Sequence, residues 1–199
     1  MNNEFTEKIL FGIEKICQIN RVLQWDITKL EQISPIQIQF IETIARMPHE
    51  WNTITHLARE FNLKKSTVSE SIQNLEKKSI LTRHVSPVDR RQIYFALTEL
   101  GREKLDTIQS GMALIKETIS HLQDDKKQII AEFLTEILLL MYKHGVIQKL
   151  HICLACRNCN IMHDSSGTPF GYCTLTDKAF KLHQFKINCH HFNQNPKND

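Results

Sequence analysis

Apolar residues recur at helical spacing through most of the chain. Phe5, Ile9, Ile13, Ile16 and Leu23 fall near one face of a 3.6-residue period, which predicts a helix over roughly residues 3–24. A second helix starts at Ser34, where Ser34, Pro35 and Gln37 supply an N-cap, a proline at the first helical position and a capping-box partner ahead of Phe40, Ile41 and Ile44. It ends before Pro48. Ile54, Leu57 and Ala58 mark a short helix over 53–61, Asn62 and Leu63 a tight turn, and Val68, Ile72 and Leu75 a helix over 65–77. The period then shortens: LTRHV and QIYFAL, rich in β-branched and aromatic residues and separated by the turn residues SPVD, predict a hairpin. Thr98 caps a following helix in which Leu105, Ile108, Met112, Ile115, Ile119 and Leu122 recur at intervals of three and four, a heptad seam that continues past Gly111. Asp124 and Asp125 favour the start of a last long helix with Ile130, Phe133, Ile137, Leu138 and Met141 on one face and Gly145 as its C-terminal cap. The seam suits either an intramolecular helical hairpin or a dimer interface.

Helix, turn, helix and hairpin in that order describe a winged helix-turn-helix, and the fold class is mainly α with a small β-hairpin wing. Charge sharpens this. Between residues 52 and 92 stand eight lysines and arginines against four acids, an excess of four where the whole chain has +3. With Val68, Ile72 and Leu75 inward, the 65–77 helix turns Lys65, Ser66, Thr67, Ser69, Glu70 and Gln73 outward, groups that reach base edges or phosphates of double-stranded DNA. Arg90 and Arg91 sit at the hairpin tip, placed for a minor groove or for phosphates. Asp89 is assigned to structure, holding an arginine and shaping the wing.

Cysteine placement is lopsided. Of six cysteines, Cys17 stands alone and Cys153, Cys156, Cys159, Cys173 and Cys189 lie in the last 49 residues, which sets a compositional boundary near Leu150. The domains expected are therefore 1–150, for DNA binding and dimerisation, and 151–199, a cysteine-rich metal-binding module. So short a segment buries little surface alone, and segments of this size usually lean on a metal, a disulfide or a neighbour. Cys153, Cys156, Cys173 and Cys189 form C-x2-C-x16-C-x15-C, four soft thiolates suited to tetrahedral structural Zn²⁺. Cys159 extends this to C-x2-C-x2-C, the opening of an iron–sulfur motif, with Cys173, Cys189 or His163 as further ligands, so an iron–sulfur cluster or a reversible thiol switch stays open. His190 and His191 read as surface or outer-sphere residues able to replace a thiolate. Cys17, between Ile16 and Gln18, reads as a buried, inert thiol.

Other classes recede. The N-terminus carries acids where a secretory leader needs cations, and the longest apolar run, ILLLMY at 137–142, is too short to span a bilayer, so the expectation is a cytoplasmic protein without membrane association. No nucleophile–base pair, phosphate-cradling glycine loop or H-E-x-x-H motif is present, so catalysis is not expected. A metalloenzyme reading would need an open metal position, which four-thiolate sites usually lack.

Over about residues 3–148 the chain resembles the MarR family of bacterial winged-helix transcriptional regulators, most specifically in HLAREFNLKKSTVSESIQNLEKKSIL, DRR at 89–91 and ALTELG at 96–101. The resemblance implies a homodimer clasped by its N- and C-terminal helices, two recognition helices presented to a pseudo-palindromic duplex, and a small-molecule effector, phenolic or oxidant. Relatives often carry arginine where this chain has Glu70, so one family contact is expected to be absent; Glu70 can accept from a cytosine amino group instead. The combined expectation is a sequence-specific transcriptional regulator with a four-cysteine structural zinc site in its tail. The alternative is a redox- or metal-responsive regulator with an iron–sulfur cluster or switchable thiols.

Overall fold

The computed structural model describes residues 2–87, 89–146, 151–167, 169–187, 189 and 191–193. Among them run α1 (Asn2–Glu31), α2 (Pro35–Arg46), a 3-10 turn (His49–Trp51), α3 (Ile54–Glu60), α4 (Lys65–Lys77), β1 (Leu81–Val85), β2 (Ile93–Leu97), α5 (Glu99–Gly111), α6 (Ala113–Ser120) and α7 (Asp124–Lys143). The tail adds β3 (Cys159–His163), β4 (Pro169–Cys173) and β5 (Lys178–Lys181), with 3-10 turns at Cys153–Ala155 and Leu182–Gln184. Two compact units result: Met1–Ile54 with Lys65–Thr118, and Thr55–Lys64 with Ile119–Asp199.

In the first unit local chemistry sets the boundaries. Ser34 and Gln37 form the expected capping box at the start of α2, and the Thr98 hydroxyl accepts from the Gly101 N–H at the start of α5. α4 ends in a Schellman motif, with Ser79 at φ 57° and N–H bonds from Ser79 to Glu76 O and from Ile80 to Leu75 O. α1 runs seven residues beyond its expected end, to Glu31, and Gln32 then turns left-handed at φ 54°. The core gathers Ile33, Ile38, Phe40 and Ile41 from α2 and its approach, Val68, Ile72 and Leu75 from α4, and Phe95 from β2. β1 and β2 pair antiparallel from Leu81↔Leu97 to Val85↔Ile93.

Two features were not foreseen. Asn52 is fully buried: its side-chain Nδ2 donates to Ile44 O at 3.0 Å, and its own carbonyl accepts from Phe95 N at 2.9 Å, so one amide residue fastens the end of α2 to the wing. The seam expected to run unbroken past Gly111 is interrupted there, α5 ending at Gly111 and α6 starting at Ala113. Glycine is a poor helix former, and here α1 presses on it: a Cβ on Gly111 would stand 2.7 Å from Ile27 Cδ1.

In the second unit, α3 closes as Asn62, at φ 51°, donates to Arg59 O while Leu63 donates to Ala58 O, a Schellman motif in the turn the sequence marked. α7 begins at Asp124 and Asp125 and ends in the same motif, with Gly145 at φ 72° and N–H bonds from Gly145 to Tyr142 O and from Val146 to Met141 O. The tail is a three-stranded antiparallel sheet, β3-β4-β5, in which Cys159 faces Cys173 across the first pair. Ile152 and Ala155 are buried against Leu138 and Tyr142 of α7 and against Leu154 and Phe192. Phe180 and Phe185 meet edge to face at 5.0 Å over Gly171, where a Cβ would stand 2.4 Å from Phe180. No described helix is long and apolar enough to cross a membrane.

Gly101 marks the tightest approach in the first unit: a Cβ there would lie 2.2 Å from the Ile80 carbonyl oxygen and 3.3 Å from Leu97 Cβ. Because the obstacle is backbone, Gly101→Ala is expected to destabilise the protein by about 1–3 kcal/mol, seen as a lower urea midpoint with an unchanged m-value.

Candidate nucleic-acid interface and thiol site

α4 is amphipathic in the sense its sequence demands. Val68, Ile72 and Leu75 are buried, packed toward α2 and β1. Lys65, Ser66, Thr67, Glu70 and Gln73 are exposed and Ser69 half-buried. The expected contact residues of this helix thus share its open side, with Gln73 Nε2 3.5 Å from Ser69 Oγ one turn earlier.

The wing carries Arg90 and Arg91 at its tip, both exposed. Asp89 shapes that tip, though not by gripping a guanidinium as expected: its carboxylate accepts from the backbone N–H of Arg91 at 2.9 Å. Its own N–H donates to Ser86 Oγ and its carbonyl accepts from Gln92. Arg83 is committed elsewhere, paired through two 3.1 Å bonds to Glu76 of α4 and lying 5.9 Å from the Phe95 ring centre. That fork ties wing to helix, and because it pairs one cation with one of the four acids it leaves the basic excess of this segment unchanged. His84 stacks on Tyr94 at 5.2 Å, and Tyr94 in turn meets His49 at 5.3 Å. Nothing in the spacing of these rings singled them out.

A second feature of the same unit is a cavity of about 370 Å³ between α1, α2 and α5, lined by Gln24, Ile27, Ile38, Arg46, Ile108 and Met112 among others.

The tail's five cysteines, all free thiols, line one cavity of about 330 Å³. The four expected ligands, Cys153, Cys156, Cys173 and Cys189, are thus brought together, and Cys159 joins them across the strand pair from Cys173. His191 also lines this space, whereas His163 lies at the far end of β3, opposite Pro169; His190 lies outside the described residues. Backbone N–H groups point at the sulfurs: Lys186 donates to Cys153 at 3.3 Å and Asn193 to Cys156 at 3.4 Å. Four thiolates around one zinc ion, at about 2.3 Å each, stand about 3.8 Å apart. Among the described residues no three of these sulfurs lie within 4.8 Å of one another. Cys17, expected to be buried, is exposed on α1, which leaves that part of its helix uncovered.

The thiols are not equivalent. Burial, reinforced by the charges of Cys153, Cys156 and Cys173, pushes Cys159 up to about 12. Burial also raises Cys153, against an opposing N–H bond from Lys186. Cys173 is lowered, chiefly because the Thr176 hydroxyl donates to its sulfur. A lower pKa means more thiolate at a given pH and faster alkylation. In reduced, metal-free protein at mildly alkaline pH, iodoacetamide is therefore expected to modify Cys173 before Cys159, and Thr176→Val to slow Cys173 selectively, as read by peptide mass spectrometry.

Residues 31–92 match the MarR family. No curated protein matches the sequence. Among solved structures, Staphylococcus aureus MarR in complex with salicylate and kanamycin shares 17% identity at a TM-score of 0.58, over 70% of this chain and 94% of that one. The S. aureus MepR–DNA complex shares 21% at 0.56, over 70% and 99%, and Bacillus subtilis YusO 18% at 0.51, over 70% and 98%. The sequence match over residues 31–92, which holds α2, α3, α4 and β1, and the winged-helix fold of these solved structures thus agree in making this part of the chain similar to MarR-family proteins.

Proposed function

We propose that the protein is a sequence-specific, DNA-binding transcriptional regulator acting as a homodimer. The observation that carries this is the open face of α4, with Lys65, Ser66, Thr67, Ser69 and Gln73, on the same winged helix as a hairpin tipped by Arg90 and Arg91. Short polar groups and one long amide on a helix suit base edges in a major groove, and the wing arginines suit phosphates or a minor groove. The fold-level likeness to a MepR–DNA complex supports the same reading.

Dimerisation is supported by what α1 and α7 leave uncovered. Phe5 is 68% exposed and Ile16 63% on α1, and Ile129, Leu134 and Leu140 are exposed on α7. Apolar faces of that extent on a soluble chain mark interaction surfaces, and the family resemblance assigns them to a second copy. The cavity beside Ile27 and Ile108 is the candidate effector site, in keeping with the salicylate-bound MarR structure.

For the tail we propose a thiolate-bound metal centre. Zinc held by Cys153, Cys156, Cys173 and Cys189 is the reading the spacing supports. An iron–sulfur cluster is the alternative, supported by a fifth thiol, Cys159, that lines the same cavity. N–H bonds to cysteine sulfur tune either kind of centre. Residues 1–150 would then read DNA and pair the subunits while residues 151–199 hold the metal.

DNA affinity is expected to fall roughly 10³-fold or more from low to moderate salt if about six phosphates per dimer are neutralised; flat salt dependence in filter binding would remove the DNA reading. Arg91→Ala is expected to weaken binding to all sequences and Gln73→Ala to change preference among them. For the tail, one zinc per chain without colour supports the mononuclear site, and brown absorbance with iron and sulfide supports the cluster.

A further inference from the structure

His56 and Glu60 stand four residues apart on α3, so their side chains share one face of that helix. His151, at the start of the tail, meets them. One ligand atom from each of His56, Glu60 and His151 lies within 4.8 Å of the other two, the one such group among the described residues. His151 is 3% exposed, while His56 and Glu60 are half-buried. Its ring stacks on His56 with centroids 5.4 Å apart and planes 12° from parallel, and Phe192 meets it edge-on at 4.9 Å. The main chain is pinned as well: His151 O accepts from Cys189 N at 3.0 Å, and the next residue bridges Ile152↔Ile187.

Two physical points separate this group from an ordinary buried ion pair. His151 Nδ1 stands 3.5 Å from Glu60 Oε2, whereas a charge-assisted hydrogen bond between imidazolium and carboxylate closes to about 2.7–2.9 Å. Nitrogen and oxygen ligands at about 2.0–2.1 Å from a tetrahedral zinc stand about 3.4 Å apart, close to the separation found. The second point is composition. Two imidazoles and one carboxylate are the donor set of a nitrogen/oxygen zinc site with one position left for water; calcium and magnesium prefer all-oxygen shells. A divalent ion also offsets the charge of Glu60, whose half-buried carboxylate faces the buried His151 ring.

We propose that His56, Glu60 and His151 form a divalent transition-metal site, zinc by preference, separate from the thiol cavity. None of the three is among the proposed DNA contacts or thiol ligands, so the site stands whether or not either of those readings holds. An ion here links α3 to the start of the tail. Because α3 runs through residues 61–64 into α4, loading of the site is thermodynamically linked to any change that DNA imposes on α3.

The test is a Co²⁺ titration of reduced, metal-free, full-length protein, followed by absorption and by metal counting. Thiolate-bound cobalt shows strong near-ultraviolet charge-transfer bands, whereas a histidine–carboxylate site shows visible d–d bands without them. Wild type is expected to take one nitrogen/oxygen-ligated Co²⁺ per chain. His56→Ala and Glu60→Gln are each expected to weaken it by roughly tenfold or more, with any charge-transfer intensity unchanged. Glu60→Gln nearly preserves side-chain volume and still hydrogen-bonds, so it reads the site even if His56→Ala does not fold. Wild type without nitrogen/oxygen-bound cobalt, or variants with unaltered affinity, would overturn the proposal. So would a Glu60→Gln loss of thermal stability that is equally large with and without Zn²⁺, because that is the mark of a hydrogen-bonded pair alone.

Discussion

Everything proposed for nucleic acid depends on which way α4 faces, and that is settled by three apolar side chains. Val68, Ile72 and Leu75 are fully buried, each contributing about 1.5–3 kcal/mol relative to exposure. The remaining positions of a 13-residue helix then have nowhere to go but outward. A polar residue moved into that stripe, or an apolar one out of it, would rotate the helix away from its contact face before it changed any contact directly. The Arg83–Glu76 fork and the buried Asn52 amide fasten the wing to the same core, so helix face and arginine tip are held by one set of packing and hydrogen-bond constraints.

The tail solves a different problem. A short segment with few large apolar residues gains what core it has by packing Ile152 and Ala155 against Leu138 and Tyr142 of α7, and Phe180 against Phe185. The cysteines are spread over a 3-10 turn, two strands and the returning chain, yet face one cavity. Burial, with a smaller contribution from the neighbouring sulfurs, pushes Cys159 up to about 12, so without a metal that thiol stays protonated at neutral pH.

Most element boundaries were legible because each had a local chemical cause. Ser34 with Gln37, Thr98, and Gly145 are caps that act within a turn of themselves, and the inward stripe of α4 follows from spacing alone. The misreadings came where a distant segment intervened or where a local turn took a conformation that its residue types do not announce. At Gly111, a poor helix former, the seam is interrupted where Ile27 of α1 comes too close for any side chain. The left-handed Ser79 and Gln32 are not residues that advertise such a conformation. Asp89 serves a backbone N–H rather than a guanidinium, a choice made by the turn's geometry.

By itself the sequence determined the order of helices and strands, the face α4 buries, the arginine-tipped wing and the cysteine-rich tail, because periodicity, capping and spacing act over a few residues. Tertiary structure alone decided that Asn52 is a buried fastener, that Cys159 joins the other four thiols, and that His56, Glu60 and His151 meet. The last case shows why. His56 and Glu60 are neighbours on any helix, but His151 lies 91 residues beyond Glu60 in the chain. Only the packing of the tail brings its imidazole to them.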